Sequence, residues 1–190
     1  GGEGGTGAAP LEFSNSVGMP ARDAWVFVHN ALTGIGLRNR IRIVAAGKIL
    51  TGFHMARALA LGADLCVSAR GMMLALGCIQ ALRCNSDYCP TGITTHDPAL
   101  VHGLHVANKA ERVECYHEGT VEGFLELLAA MGLHHPSELG PQHVFRRIND
   151  MHVRDFSEIY EFMAEGRMLH DDRVPEEWSQ EWRAASPDRW

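Results

Sequence analysis

No apolar stretch of this 190-residue chain approaches the roughly 18 residues that a membrane-spanning helix requires. The densest, Met72 to Leu82, is interrupted by Gly77 and Gln80. Runs of Lys and Arg are also missing. Seventeen basic residues against 23 acidic ones leave a net charge of -6 and a sequence pI near 6.0, which excludes a strongly basic nucleic-acid grip. The N-terminus has neither the basic region nor the apolar core of a secretory signal. Eight prolines are too few for a Pro-rich linker, no internal repeat is present, and nucleophile-elbow, phosphate-binding P-loop and H-E-x-x-H signatures are absent. With 46% hydrophobic and 21% charged residues, the chain can build a buried core. Its length suits one domain or a large piece of a bigger one. It opens on glycine inside a motif, and the expectation is that it was cut from something longer.

The five cysteines, Cys66, Cys78, Cys84, Cys89 and Cys115, are an odd number. Without a signal sequence the expected compartment is the reducing cytoplasm, where clustered cysteines favour metal over disulfides.

The first seven residues hold five glycines. Two readings stand: a floppy terminus, or a backbone that something must approach closely. Gly2, Gly4 and Gly7 spell G-x-G-x-x-G, but no strand precedes them and Pro10 breaks any helix that would follow, so a dinucleotide fingerprint is rejected. Trp25, Val28 and Leu32 at three- and four-residue steps predict a helix over 21–32. Ile41 to Ala45 reads as a strand, Thr51 as the cap of a helix to Leu61, Asp64 to Ser68 as a second strand, and 72–82 as a helix. That βαβα order requires parallel strands, and ligands of such sheets bind at the strands' C-terminal ends. A long amphipathic helix is predicted over 100–131, Ser137 or Pro141 opens a shorter one through Phe145, and the last twenty residues read as a peripheral polar tail.

Cys78, Cys84 and Cys89 follow the spacing C-x5-C-x4-C, with Pro90 after the last. Three thiolates on one loop suit an iron–sulfur cluster or a thiol-rich zinc site, against the alternative of three buried structural thiols. Cys66 and Cys115 read as core. Lys48 follows Gly47 at one strand end, and Arg70 follows Ala69 at the next. Such adjacent loops either cradle an anion or carry two solvated cations. His102 and His105 lack a carboxylate partner, and His134-His135 reads as exposed.

Five segments together, Gly1 to Pro10, Ala46 to Gly52, Ala58 to Ala63, Leu76 to Cys78 and Cys89 to Pro98, resemble the FMN-binding synthase domain of the glutamate synthase family over residues 1 to 160. The resemblance implies an α/β fold, the C-terminal portion of a (β/α)8 TIM barrel. Residues 1–98 would carry about strands six to eight with the iron–sulfur loop, 99–165 a helical extension, and 166–190 the tail. It implies FMN held by Gly47, Lys48, Ala69 and Arg70, with Gly2, Glu3, Gly4 and Gly5 near flavin and substrate. It implies a three-iron, four-sulfur (3Fe-4S) cluster on Cys78, Cys84 and Cys89.

The implied activity is an oxidoreductase of glutamate biosynthesis. 2-Oxoglutarate and ammonia, or glutamine as its source, give 2-iminoglutarate, and reduced FMN delivers a hydride to form glutamate. Electrons come from an external donor, ferredoxin or an NADPH-linked reductase. Glu3 stands where the synthases proper usually have Asp, Lys48 where they often have Gln, and His96 replaces a usual Gln. A flavin barrel with another substrate, or a non-catalytic remnant, is the alternative. The chain alone is expected to lack turnover.

Overall fold

A pair of three-residue strands organises the N-terminal half. In the computed structural model, which describes Glu3 and residues 10–170 and 173–188, β1 (Val44–Ala46) and β2 (Leu65–Val67) pair in parallel, with Val44 opposite Leu65 and Ala46 opposite Val67. Two helices precede β1: α1 (Leu11–Ser16) and α2 (Ala21–Gly34). The connection between the strands is α3 (Gly52–Ala60), whose first turn is capped by Thr51 accepting from the His54 amide. After β2 come α4 (Arg70–Ala75), α5 (Pro98–Val101) and the 25-residue α6 (Val106–Ala130). A hairpin of β3 (Phe145–Asn149) and β4 (His152–Asp155) follows, then α7 (Phe156–Ile159) and α8 (Ser179–Ala184). The chain is thus a mixed helix and strand structure, and the described residues form no closed barrel.

The core lies on one side of the parallel pair. Ala45 is fully buried, together with Ile43, Ile49, Ala56, Leu61, Phe124 and Leu128. Helices α3 and α6 meet so closely at Gly52 that a Cβ there would run into the backbone of Gly123 and Phe124. The other side of the pair is bare. Val44, Leu65 and Val67 are 52%, 57% and 48% exposed, although strands of a parallel sheet are normally covered on both faces. Burying side chains of this size gains about 1.5–3 kcal/mol each, a contribution the described residues leave unused.

At the opposite, entry end of the strands, Asp64 joins several segments. Its Oδ2 accepts from the Ile43 amide at 2.7 Å, and Arg38 and Arg42 pair with the same carboxylate at 2.8 and 3.2 Å. Arg38 also donates to the Gly62 carbonyl and to His29 Nδ1. Burial opposes the Asp64 charge, but the Ile43 amide and Arg38 outweigh it and hold the carboxyl below its usual range. Burial, and then Arg38, pull His29 below the ordinary histidine range.

Three expectations are corrected. The helix over 72–82 is replaced by α4, which ends at Ala75 because Gly77 (φ +100°), Gln80 (φ +56°) and Leu82 (φ +56°) turn the backbone left-handed. The helix over 100–131 is interrupted at 102–105, where His105 caps the start of α6. The short helix through Phe145 does not form. Single turns at Pro136–Glu138 and Pro141–His143 lead instead into β3.

The segment after α7 packs on α2. The buried Asn30 side chain donates to the Glu161 carbonyl at 2.8 Å and accepts from the Met163 amide at 3.0 Å. Trp178 stacks on Phe27 with ring centroids 4.5 Å apart.

Candidate functional site

Both strands end on the same edge, and the loops that leave them are tied together. Gly47 follows β1 directly with φ +127°, and Lys48 follows with φ +50°, an uncommon conformation for a side-chain-bearing residue. Ser68, just past β2, donates to the Ile49 carbonyl at 2.6 Å. Tyr116 reaches over from α6 and donates to the Leu50 carbonyl at 2.9 Å, with its oxygen 3.4 Å from Ser68 Oγ. The Tyr116 ring needs the bare α-carbon of Gly71, since a Cβ there would overlap its hydroxyl. Ala69 and Arg70, which begin α4, therefore sit on a loop fixed to the one carrying Gly47 and Lys48. The four residues proposed from sequence share one edge.

Glu3 stands over this edge. Its Oε2 accepts from the Ala21 amide at 3.2 Å, at the exposed amide end of α2. A Cβ on Gly47 would lie 3.1 Å from Glu3 Cβ. Glycine is thus required at 47 both by its dihedral angle and by the approach of Glu3. Gly2, Gly4 and Gly5 lie outside the described residues.

The cysteine loop hangs from α4 and ends at α5. Cys78 accepts from the Gln80 amide at 3.4 Å, Cys84 is half-buried, and Cys89 is buried by its own loop. Burial pushes the Cys89 thiol up, but the Thr91 hydroxyl at 3.3 Å and backbone hydrogen bonds from Thr94, Thr91 and Ile93 outweigh it, so the thiol is lowered to about 6. Around that thiol Asp87 fastens the loop, accepting from Thr95 Oγ1 at 2.6 Å and from the His96 amide at 2.7 Å. Thr94 Oγ1 is buried with no hydrogen-bond partner among the described residues. Among the described residues, no three His, Cys, Asp or Glu side chains are gathered to hold a metal ion, so the three thiols share a loop without converging. As a donor set they nevertheless suit an iron–sulfur group: three soft sulfurs, one of them (Cys89) surrounded by hydrogen-bond donors that favour its thiolate form, beside a buried hydroxyl without a partner among the described residues. Cys66 behaves as core. Burial pushes it up to about 11. Cys115 lies exposed on α6, against its reading as core.

Tyr116 and Ser68 were not legible as site residues. The apolar stripe over α6 points to His117, yet His117 is exposed and its neighbour Tyr116 turns inward. Only the crowding of small residues at Ser68-Ala69-Arg70-Gly71 hints that something large packs there.

With this geometry in hand, the comparisons with known proteins decide the relationship. Residues 1–134 match the family described as a conserved region in glutamate synthase. The chain belongs to the glutamate synthase family. It is 44% identical over 150 residues to the glutamate synthase large subunit-like protein YerD of Bacillus subtilis, a match covering 79% of this chain and 29% of that protein. It is 40% identical over 131 residues to the archaeal glutamate synthase [NADPH] of Methanocaldococcus jannaschii, covering 69% of this chain and 26% of the relative. The Bacillus subtilis glutamate synthase [NADPH] large chain is 31% identical over 151 residues, 74% of this chain and 10% of its own length. The chain therefore spans under a third of these relatives. The matched 134 residues include β1, β2, both loops and all three cysteines of the triplet, while the β3–β4 hairpin lies beyond them. No helix among the described residues is long and apolar enough to cross a membrane.

Proposed function

We propose that this chain supplies the last βα units of a (β/α)8 barrel in an FMN- and iron–sulfur-dependent oxidoreductase of the glutamate-synthase type. Its reaction is the reductive amination of 2-oxoglutarate to glutamate through 2-iminoglutarate. Ammonia or glutamine is the nitrogen source, and ferredoxin or an NADPH-linked reductase is the electron donor. The observation that carries this reading is the tied pair of strand-end loops, with Gly47 and Lys48 on one and Ala69 and Arg70 on the other, next to a three-cysteine loop. Adjacent loops after neighbouring parallel strands are where such barrels hold phosphate. The bare apolar face of Val44, Leu65 and Val67 supports the barrel, because alternate residues of barrel strands pack inward against one another.

Within that assembly Lys48 and Arg70 supply positive charge to the flavin phosphate, and the backbone around Gly47 gives it close approach. Tyr116 and Ser68 keep the two loops in register. Cys78, Cys84 and Cys89 would hold a 3Fe-4S cluster, with Thr91 and the backbone of Thr91, Ile93 and Thr94 stabilising the sulfur of Cys89. When bound, the flavin supplies hydride transfer to an imine carbon and the cluster supplies one-electron relay. Glu3 favours a second reading, a flavin barrel acting on another oxoacid or imine, because its carboxylate is already engaged by the Ala21 amide.

The test is flavin, iron and acid-labile sulfide content of anaerobically purified protein, followed by donor-driven glutamate formation from 2-oxoglutarate and ammonia. Flavin with sulfide but no glutamate supports the second reading. Stoichiometric zinc without sulfide overturns the cluster, and a flavin phosphate beyond about 8 Å from the Gly47 amide overturns the cradle, since direct hydrogen bonds lie near 3 Å.

A further inference from the structure

Two cations of α6 close on the residue that precedes the first cysteine of the triplet. A Cβ placed on Gly77 would lie 3.0 Å from Lys109 Nζ and 3.8 Å from Arg112 Nη1. Apart from the glycine's own chain neighbours, no other described atom comes within 4 Å of that point. Neither charged end has an ion pair or a hydrogen bond among the described residues.

Nothing within α6 accounts for them. Lys109 stands in its first turn and Arg112 in its second, at the end where the backbone dipole is positive and disfavours cations. Three residues apart, they set like charges on neighbouring turns. The same helix carries Glu111, Glu114, Glu118, Glu122 and Glu126. None of these is three or four residues from either cation, the spacing at which helix side chains pair. Glu114 lines a groove with Lys109, and Glu111 one with Arg112, yet no ion pair forms. Nor does α4 need them as a cap. Its last carbonyls are taken by its own chain, Leu74 accepting from the Gly77 amide and Met73 from the Cys78 amide, both at 2.9 Å. Two cations are thus held, without an anion, against the residue that leads into Cys78.

We propose that Lys109 and Arg112 supply the positive charge that raises the reduction potential of the iron–sulfur group on Cys78, Cys84 and Cys89. The inference rests on the cluster reading of that triplet. Three thiolates outweigh the positive charge of an iron–sulfide core, so such a group is a net anion, and net charge is one of the levers on its potential. The single electron it takes from the external donor adds to that negative charge and neither makes nor breaks a bond. Cations alongside therefore favour the reduced form. The two residues ligate nothing and act by charge across Gly77. Lys109 is half-buried and Arg112 exposed, so salt screens Arg112 more.

The experiment is potentiometry of the anaerobically purified holoenzyme, read by the electron paramagnetic resonance of the cluster. It compares the unaltered protein with Lys109→Gln, Arg112→Gln and the double variant. Iron and sulfide content should stay the same while the midpoint moves to more negative potential. For the double variant the expected change is about tenfold in the reduction equilibrium, or about 59 mV for one electron. Lys109→Arg should keep the original midpoint, and added salt should shrink the Arg112→Gln effect before that of Lys109→Gln. Because Arg112 is exposed, its replacement leaves the fold intact and gives a reading of its own. With iron intact, a midpoint unmoved in both single variants, or moved to more positive potential, overturns the inference. Absence of iron and sulfide from the unaltered protein overturns the cluster reading and this inference with it, and the metal assay alone tells that failure from the other.

Discussion

The hydroxyl of Tyr116 occupies the space that a side chain on Gly71 would need. Forty-five residues apart, the two form one joint: Tyr116 leans on the start of α4 and bonds the Leu50 carbonyl beyond β1. Gly71→Ala must displace the ring or the helix, at about 1–3 kcal/mol. Tyr116→Phe should cost only about 0.5–1.5 kcal/mol, the usual net worth of one hydrogen bond. In urea denaturation the double variant should be less destabilised than the sum, because the hydroxyl no longer collides. Strict additivity would show that the contact is not made.

The open face of the parallel pair separates two situations by one substitution. Where further strands cover it, Leu65→Ala creates a cavity and should lower stability by about 2–5 kcal/mol. In the 190-residue chain by itself the same change should stay within about 0.5 kcal/mol and improve solubility. Equal effects in the short chain and in the longer protein would contradict a covering barrel.

Acid should weaken the entry end of the strands in two stages. His29 is depressed in the fold, so the unfolded chain takes up its proton first as pH falls. Stability contributed by the neutral ring is present above about 6.5 and is lost as pH drops from there towards the lower folded value. Asp64 is likewise depressed, and its contribution disappears only below the ordinary aspartate value of 3.8. His29→Gln keeps an acceptor for Arg38 and should flatten the first stage alone. Thermal melts between pH 7 and pH 3, about the span of both windows, will show one descent or two.

Cys89 should titrate apart from its neighbours. In reduced, metal-free protein the difference in ultraviolet thiolate absorbance between the native form and Cys89→Ser should rise with a midpoint of about 6, while Cys66 stays protonated until about 11. A midpoint near the ordinary cysteine value would mean that the Thr91 and backbone donors do not reach the sulfur. Independently, Cys84→Ser should remove iron and sulfide while flavin content survives.

How much of this was legible depended on how local the cause was. Thr51 capping α3 and the strand ends at Gly47 and Ala69 follow from neighbours within a few residues, and the chain states them. The helix expected over 72–82 carries an apolar pattern, but backbone reversals at Gly77, Gln80 and Leu82 break it, and nothing in the side chains of Gln80 or Leu82 announces a left-handed residue. The β3–β4 hairpin was missed because every residue of β3 is exposed, so no buried alternation marks it. Its turn had a cue in Asn149, whose side chain accepts from the amides of Met151 and His152.

The buried amide of Asn30 has a consequence for the order in which the molecule is made. Its two partners, Glu161 and Met163, lie 131 and 133 residues further along. Ribosomes add about 5–20 residues per second, so α2 is exposed for on the order of ten seconds before the segment that seals it exists. During that interval Trp25, Val26 and the Asn30 amide must be sheltered by β1 and α3 or by a chaperone. A ribosome stalled before residue 161 should therefore display a nascent chain whose first long helix is still open to protease.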